Sequence, residues 1–321
     1  PRPVVRFMVE VTDPKLGETI LDPACGTGGF LTESFLHLER QADTVEKRRV
    51  LQEESLRGGE AKSLPFLLSQ LNLLLHGLHA PHIDPGNALR FRLAEIGEDQ
   101  RVNVILTNPP FGGEEEAGIL NNFPEDRRTA ETALLFLQLI MRRLKRAGRG
   151  RAAVVVPHGT LFGDGISARI KADLLQKFNL HTVVRLREGV FAPYTDIPAN
   201  LIFFDTTGPT RDIWYYEMPL PEGRKKYSKT APMAYEEFAD CLAWWKKREP
   251  NERAWKVSAG DLIQRDEQDR VVACNLDIKN PHSGEVADHR APLEIVDAII
   301  TQEQRIIGIM DEIKAVLAER V

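Results

Sequence analysis

Four consecutive residues, Asn108-Pro109-Pro110-Phe111, place an amide, two prolines and an aromatic ring directly after an apolar run. The prolines could simply end a strand, because proline has no N–H to give a sheet. A second interpretation uses all four residues. The amino group of adenine is a poor nucleophile until two acceptors draw on its N–H bonds, and Asn108 Oδ1 and the Pro109 carbonyl could be those acceptors. The prolines would hold that carbonyl in extended backbone, and Phe111 would cover the face of a base that has left its duplex.

A second motif, Asp22–Phe30 (DPACGTGGF), joins a β-rich run to a helical one. Gly26 and Gly28 carry no Cβ, so a ligand could lie against the backbone. A plain tight turn and a dinucleotide-binding turn remain alternatives. The Gly-x-Gly-Gly spacing and Asp22 count against a dinucleotide, because a carboxylate repels a pyrophosphate. Asp22 suits a ligand with an ammonium group and a sulfonium, such as S-adenosyl-L-methionine. The residues predicted to bind it here are Asp22, Pro23, Ala24, Gly26, Gly28 and Phe30.

A second carboxylate, Glu60, follows the next β-rich run, Leu56–Gly59. An acid at the end of that strand can accept both hydroxyls of a ribose. The alternative is a solvated residue at a helix N-terminus, where the macrodipole favours negative charge. Beside the Asp22 motif, the ribose interpretation is favoured. No Cys/His cluster with metal-ligand spacing occurs, so no metal is expected.

These motifs need elements that place them at one edge of a sheet. Short β-rich runs alternate with longer helical ones from Thr19 to Asp205. The alternation predicts an α/β fold with a doubly wound, mostly parallel sheet, which binds ligands at the carboxyl ends of its strands. The predicted strands are Thr19–Asp22, Leu56–Gly59, Val102–Thr107, Ala152–Val156, Thr182–Leu186 and Asn200–Asp205. The predicted helices are Gly28–Arg40, Lys62–Gly77, Glu131–Arg146 and Ile166–Phe178.

The two motifs, in this order, resemble those of the N6-adenine DNA methyltransferases. The resemblance is closest to the methyltransferase (modification) subunits of type I restriction-modification systems. It extends to four further segments: Pro1–Glu10, Gly148–Phe162, Ile197–Phe204 and Cys274–His282. It implies the S-adenosylmethionine-dependent methyltransferase fold, that cofactor, and adenine N6 in DNA as the acceptor. It also implies a cofactor contact by Asn87, which stands where the family often has an acid.

The resemblance further implies three partners: double-stranded DNA, a DNA-specificity subunit and a restriction (translocase) subunit. The net charge of −5 shows no basic surplus for gripping DNA. Either a local basic strip or another subunit must therefore supply the grip. Three alternatives stay open: a stand-alone adenine DNA methyltransferase, a protein-glutamine methyltransferase, because Asn-Pro-Pro-aromatic motifs also serve amide nitrogens, and a catalytically silent scaffold.

Composition and pattern set the expected organisation. The three widely spaced cysteines, Cys25, Cys241 and Cys274, argue against a disulfide framework and for a reducing cytoplasm. No apolar run is long enough for a bilayer, so no membrane partner is expected. The chain begins with Pro1 and not Met, so we expect a fragment of a longer polypeptide. Three parts are predicted: a methyltransferase domain (1–205), an irregular C-terminal extension (206–284) and a terminal helix (285–321).

The terminal helix is predicted from apolar residues that alternate by three and four positions. This spacing has the 3.5-residue period of a coiled-coil seam, with Glu303 at one seam position. It indicates docking onto helices of a specificity subunit; the alternative is a helix that folds back on its own domain. The seam residues are Val296, Ile299, Ile306, Met310, Ile313 and Leu317.

Overall fold

The computed structural model describes residues 1–112, 115, 117–282, 300–301 and 303–310. Pro1–Pro281 form one compact unit, and His282–Val321 form a second. Among the described residues of the second unit, His282 lies in a turn, and residues 300–301 and 303–310 are helical. None of the described helices is long and apolar enough to cross a bilayer.

The first unit alternates strands with helices as far as β7. Its helices are α1 Arg2–Thr12, α2 Gly29–Glu39, α3 Val45–Glu53, α4 Ser63–Leu75, α5 Ala117–Leu120, α6 Thr132–Arg143, α7 Ile166–Lys177 and α8 Ala239–Lys246. Its strands are β1 Ile20–Asp22, β2 Leu56–Gly59, β3 Ile83–Asp84, β4 Val104–Thr107, β5 Arg151–Pro157, β6 Asn179–Arg185, β7 Ala199–Asp205, β8 Asp212–Glu217, β9 Ala254–Ser258, β10 Ile263–Arg265 and β11 Val271–Cys274.

Nine of these strands form one sheet in the order β3-β2-β1-β4-β5-β7-β6-β8-β9. The pairs from β3 to β5 are parallel, and β6 is parallel to β8. β7 runs antiparallel to both β5 and β6, and β9 runs antiparallel to β8. The sheet is therefore the mostly parallel, doubly wound sheet that the alternation predicts.

The sheet is covered on both faces because successive strand residues point to opposite sides. In β5, Ala153 and Val155 pack in a cluster with α1, α2 and α8, whereas Ala152 and Val154 pack in a second cluster with α6 and α7. All of these side chains are buried. Both faces of β5 are thus core, which explains why its sequence is an unbroken apolar run.

The predicted strands and helices up to Asp205 are present, with ends shifted by up to three residues. Four elements before Asp205 were not predicted from the sequence: α1, α3, α5 and β3. The extension of the main sheet by β8 and β9, which lie beyond Asp205, was not predicted either. The region 206–281 therefore combines irregular segments with two strands that hydrogen-bond into the fold.

Most of the predicted seam of the terminal helix lies outside the described residues: Val296, Ile299, Ile313 and Leu317. Ile306 and Met310 are described, and both are helical and more than half exposed. Glu303 is also helical. The docking of this helix onto another subunit stays a prediction.

Candidate active site

Three neighbouring strands bring the predicted polar residues to one edge of the sheet. β1 lies between β2 and β4 and is parallel to both. Asp22 is the last residue of β1, Glu60 follows β2, and Asn108 follows β4. Parallel strands end at the same edge, so residues far apart in sequence converge there.

Asp22 is almost completely buried, with 1% of its surface exposed. Its Oδ1 accepts hydrogen bonds from Thr107 Oγ1 at 2.7 Å and from the Ala24 N–H at 3.1 Å. Burial raises the pKa of Asp22 to about 7, against the lowering effect of these two bonds, and the nearby charge of Glu60 raises it further. A cation beside a buried carboxyl group stabilises its ionised form. The surroundings of Asp22 therefore favour a positively charged ligand group.

Glu60 links the glycine-rich turn to the start of α4. Its Oε2 accepts from the Gly26 N–H at 2.9 Å, and its Oε1 accepts from the Lys62 N–H at 2.8 Å. Each carboxylate oxygen has a further lone pair. Glu60 therefore fixes the turn and keeps acceptor capacity for a ligand.

Two cavities open along this edge and share Ala24. The larger, of about 400 Å³, is lined by Asp22, Gly26, Phe30 and Asn108, among others. The smaller, of about 250 Å³, is lined by residues predicted from both motifs and from the next two strand ends: Pro23, Glu60, Asn87 and Pro110. Acidic and amide side chains thus follow one groove from Asn108 to Asn87.

The lining of the larger cavity suits a polar ligand that lies against the backbone. A Cβ at Gly26 or at Gly29 would meet no protein atom within 4 Å. Thr32, which also lines this cavity, has a buried hydroxyl without a hydrogen-bond partner among the described residues. The bare backbone, an unpaired hydroxyl and buried Asp22 fit the amino-acid portion of S-adenosyl-L-methionine. Glu60 in the smaller cavity fits its ribose.

Gly28 is one of the residues predicted to bind the cofactor, but it lines neither cavity. Its backbone is left-handed (φ +82°), and a Cβ there would lie 3.3 Å from the Cβ of Ser69 on α4. The glycine allows the turn and the close approach of α2 to α4.

Asn87 lines the smaller cavity, but local bonds already use its amide. Its Oδ1 accepts from the Leu89 N–H at 2.9 Å, and its Nδ2 donates to Glu115 Oε2 at 3.0 Å. A cofactor contact by Asn87 would therefore use the remaining lone pair of Oδ1 or the second N–H of Nδ2.

The four residues of the Asn-Pro-Pro-Phe motif have different surroundings. Asn108 and Pro110 are exposed at the two cavities, whereas Pro109 is buried. Phe111 packs edge to face against Phe191, with ring centroids 5.6 Å apart. The motif therefore presents one amide to the larger cavity and holds its aromatic ring against a second ring.

Several residues that complete this site were not predicted from the sequence. Thr107 bonds Asp22, Asn72 Nδ2 donates to the Thr27 carbonyl at 2.9 Å, and His76 lines the larger cavity. A hydroxyl that ends an apolar strand was a usable signal for Thr107. Nothing in the sequence indicates that Asn72, on a leucine-rich helix, supports the turn.

Comparison with known proteins agrees with this geometry. The family model described as N-6 DNA Methylase matches residues 1–281. A type I restriction enzyme EcoEI methylase subunit from Escherichia coli is 48% identical over 326 residues, which cover 99% of this chain and 64% of that protein. This chain thus spans less than two thirds of the length of that relative.

Solved structures give the same result. A protein described as a modification subunit of a type I restriction enzyme from Vibrio vulnificus is 68% identical, with a TM-score of 0.87, and the match covers 90% of this chain and 61% of that one. A chain from a structure of the type I R-M system, titled for complex assembly and conformational transition, is 42% identical with a TM-score of 0.81; the match covers 100% of this chain and 66% of that one. The fold, the strand-end residues and the match over residues 1–281 lead to one conclusion: this chain belongs to the N-6 DNA methylase family.

Proposed function

We propose that this protein is the methyltransferase subunit of a type I restriction-modification system. It transfers the methyl group of S-adenosyl-L-methionine to the N6 nitrogen of an adenine that has flipped out of duplex DNA, at a site chosen by a separate specificity subunit. One observation carries the proposal. Asn108, which opens the Asn-Pro-Pro-Phe motif, lines the same cavity as buried Asp22 and bare-backbone Gly26.

The chain's own residues would bind and orient the two reactants. Asp22 would hold the ammonium group of the cofactor, and Glu60 its ribose hydroxyls. When bound, the cofactor supplies an electrophilic methyl group on its sulfonium. Asn108 Oδ1 and the Pro109 carbonyl would accept hydrogen bonds from the two N–H groups of the adenine amino group. The lone pair of the amino nitrogen would then point at that methyl. Catalysis would then rest mainly on positioning.

Phe111 would stack on the flipped base. Its contact with Phe191 limits the orientations that its ring can adopt. Once methylated, the cationic amino group would lose its proton readily, so the site needs no dedicated general base. The absence of a general base agrees with the Asn-Pro-Pro-Phe motif, which contains hydrogen-bond acceptors and an aromatic ring but no titratable side chain.

The proposed partners are double-stranded DNA, a DNA-specificity subunit and a restriction (translocase) subunit. The names of the similar proteins, a type I methylase subunit and a type I modification subunit, support the assembly. The net charge of −5 also supports it, because a chain without a basic surplus needs help to hold DNA.

Labelled cofactor tests the proposal. The protein is incubated with S-adenosyl-L-methionine carrying a labelled methyl group and with duplex DNA, with and without its specificity subunit. A parallel reaction offers protein in place of DNA. We expect label in N6-methyladenine, at a site that depends on the specificity subunit. Label in protein glutamine would support the protein methyltransferase alternative, and no label in any acceptor would support a silent scaffold.

A further inference from the structure

One stretch of the chain, residues 222–230, is strongly basic within an acidic protein. It contains four cations, Arg224, Lys225, Lys226 and Lys229, and one acid, Glu222, whereas the whole chain has a net charge of −5. We call residues 222–230 the basic segment. The described side chains of all four cations are exposed.

The basic segment lies at the catalytic edge of the sheet. β5 and β6 both run antiparallel to β7, and β8 is parallel to β6. The carboxyl ends of β4, β5, β6 and β8 therefore share one edge. The Asn-Pro-Pro-Phe motif follows β4, the loop 187–198 follows β6, and the basic segment follows β8.

Tyr227 anchors the basic segment to the loop 187–198. Its side chain is 1% exposed, and its hydroxyl donates to Glu237. Its N–H donates to the Glu188 carbonyl at 3.1 Å. Gly189 is left-handed (φ +79°), and a Cβ there would lie 2.1 Å from the Tyr227 carbonyl oxygen. The backbone of the segment is thus packed tightly against the loop.

The same loop contacts the catalytic motif. Phe191, two residues after Gly189, packs against Phe111 with ring centroids 5.6 Å apart. A continuous set of contacts therefore joins Tyr227, through Gly189 and Phe191, to Phe111. The basic segment has a fixed place beside the residues that would receive the base.

Most of its charge is not paired with an acid. Lys226 pairs with Glu188 at 3.4 Å and with Asp196 at 3.7 Å. In the part of the chain that the structure describes, Arg224, Lys225 and Lys229 form no ion pair. Arg224 does donate to the Pro232 carbonyl at 3.4 Å, and its guanidinium lies 5.9 Å from the centre of the Tyr227 ring. A buried anchor with exposed, unpaired cations is an arrangement that suits a polyanion, because phosphate contacts hold nucleic acid without reading its sequence.

We propose that the basic segment binds the phosphates of the DNA strand next to the adenine that enters the active site. The inference rests on the proposed function and adds a nucleic-acid contact made by this chain itself. It assigns the local basic strip, which is one of two possible sources of the DNA grip, with Arg224, Lys225 and Lys229 as the contacts. These three side chains would bind the DNA backbone beside the active site. Recognition of the bases would come from the specificity subunit.

Salt-dependent DNA binding tests the inference. The affinity for a short fluorescent duplex is measured over a series of salt concentrations for the wild type and for a variant with Arg224→Gln, Lys225→Gln and Lys229→Gln. Affinity falls with salt, and each lost phosphate contact makes the slope of log affinity against log salt less negative by about one unit. We expect the magnitude of the slope to decrease by about 2–3 units, with unchanged S-adenosyl-L-methionine affinity.

A matched control removes the same charge near the opposite edge, with Lys246→Gln, Lys247→Gln and Lys256→Gln. Lys256 pairs with Asp212 at the start of β8, and Arg248, next to Lys247, contacts His181 near the start of β6. The slope of this control should match that of the wild type.

The single variant Lys225→Gln, with an expected loss of about one unit, replaces the triple variant if that protein fails to fold.

Three results would overturn the inference: an unchanged slope in the triple variant, an equal loss in the control, or no measurable duplex binding by the wild type. If the triple variant no longer co-purifies with the specificity subunit, while the salt dependence of its DNA affinity is unchanged, the basic segment contacts that subunit and not DNA. None of these results measures methyl transfer. The proposed function is tested separately, and it fails if the wild type with its specificity subunit does not methylate adenine.

Discussion

At the scale of single residues, burial has the largest effect on the ionisation of Asp22, and the hydroxyl of Thr107 opposes it. The pKa of Asp22 is raised to about 7, and the hydrogen bond from Thr107 limits that rise. An ammonium group is attracted only by the ionised carboxylate, so cofactor affinity should rise as pH rises through about 7 and then level off. Below that pH, binding must displace a proton, and affinity should fall about tenfold per pH unit.

Calorimetry on both sides of pH 7 checks this profile. Thr107→Val should move its midpoint to higher pH, because it removes a bond that lowers the pKa of Asp22. Asp22→Asn should bind weakly and without this pH dependence. The ligand-free protein should show the opposite trend: its stability should fall as pH rises from about 4 to 7, because only the folded state keeps the Asp22 proton. A flat binding profile in the wild type would mean that Asp22 does not contact the ammonium group.

Glu60 accepts two backbone hydrogen bonds and has a proposed cofactor contact, and substitutions separate these roles. Glu60→Ala should weaken S-adenosyl-L-methionine binding by about 1.5–3 kcal/mol, the usual worth of hydrogen bonds to a charged acceptor. Glu60→Gln keeps one oxygen that can accept from the Gly26 N–H, so it can retain the turn, but it loses the charge and the bond from the Lys62 N–H. Its affinity should lie between those of the wild type and Glu60→Ala. Unchanged affinity in both variants would exclude Glu60 from the cofactor site.

At the scale of elements, the last glycine of the turn between β1 and α2, Gly28, and the first residue of α2, Gly29, have different roles. Gly28 is left-handed and close to Ser69, whereas Gly29 has open space where a Cβ would be. Gly28→Ala should lower the free energy of unfolding by about 1–2 kcal/mol, because L-residues are strained in this conformation. Gly29→Ala should leave stability unchanged and weaken cofactor binding. Equal loss of stability in both variants, measured by denaturant unfolding, would contradict this assignment.

The elements that the sequence predicts best are those with long, regular patterns. The alternation of apolar runs and helices predicts the strand ends that bring Asp22, Glu60 and Asn108 together, because parallel strands finish at one edge. Weaker patterns were missed: β3 has two residues, and α3 is mostly charged. The roles of Gly28 and Asn72 depend on how α4 packs against the turn. A single sequence contains no record of that packing.

At the scale of the whole molecule, the described core and the family match both end at residue 281. Deleting the chain after Pro292 should therefore leave a folded protein that binds cofactor but no longer co-purifies with its specificity subunit. Ile306→Gln with Met310→Gln is the milder variant, since both side chains are exposed on a helix. Normal co-purification of the truncated protein, or its failure to fold, would show that the terminal helix has another role.

The most direct test of the central claim measures one methyl-transfer turnover with Asn108 and without it. The wild type and Asn108→Ala, each with the specificity subunit, labelled S-adenosyl-L-methionine and duplex DNA, are compared for the rate of N6-methyladenine formation and for cofactor affinity. Asn108 Oδ1 is proposed to act mainly in the transition state, so the rate should fall about a hundredfold or more while cofactor affinity persists. An Asn108→Ala protein that methylates adenine at the wild-type rate would contradict the account.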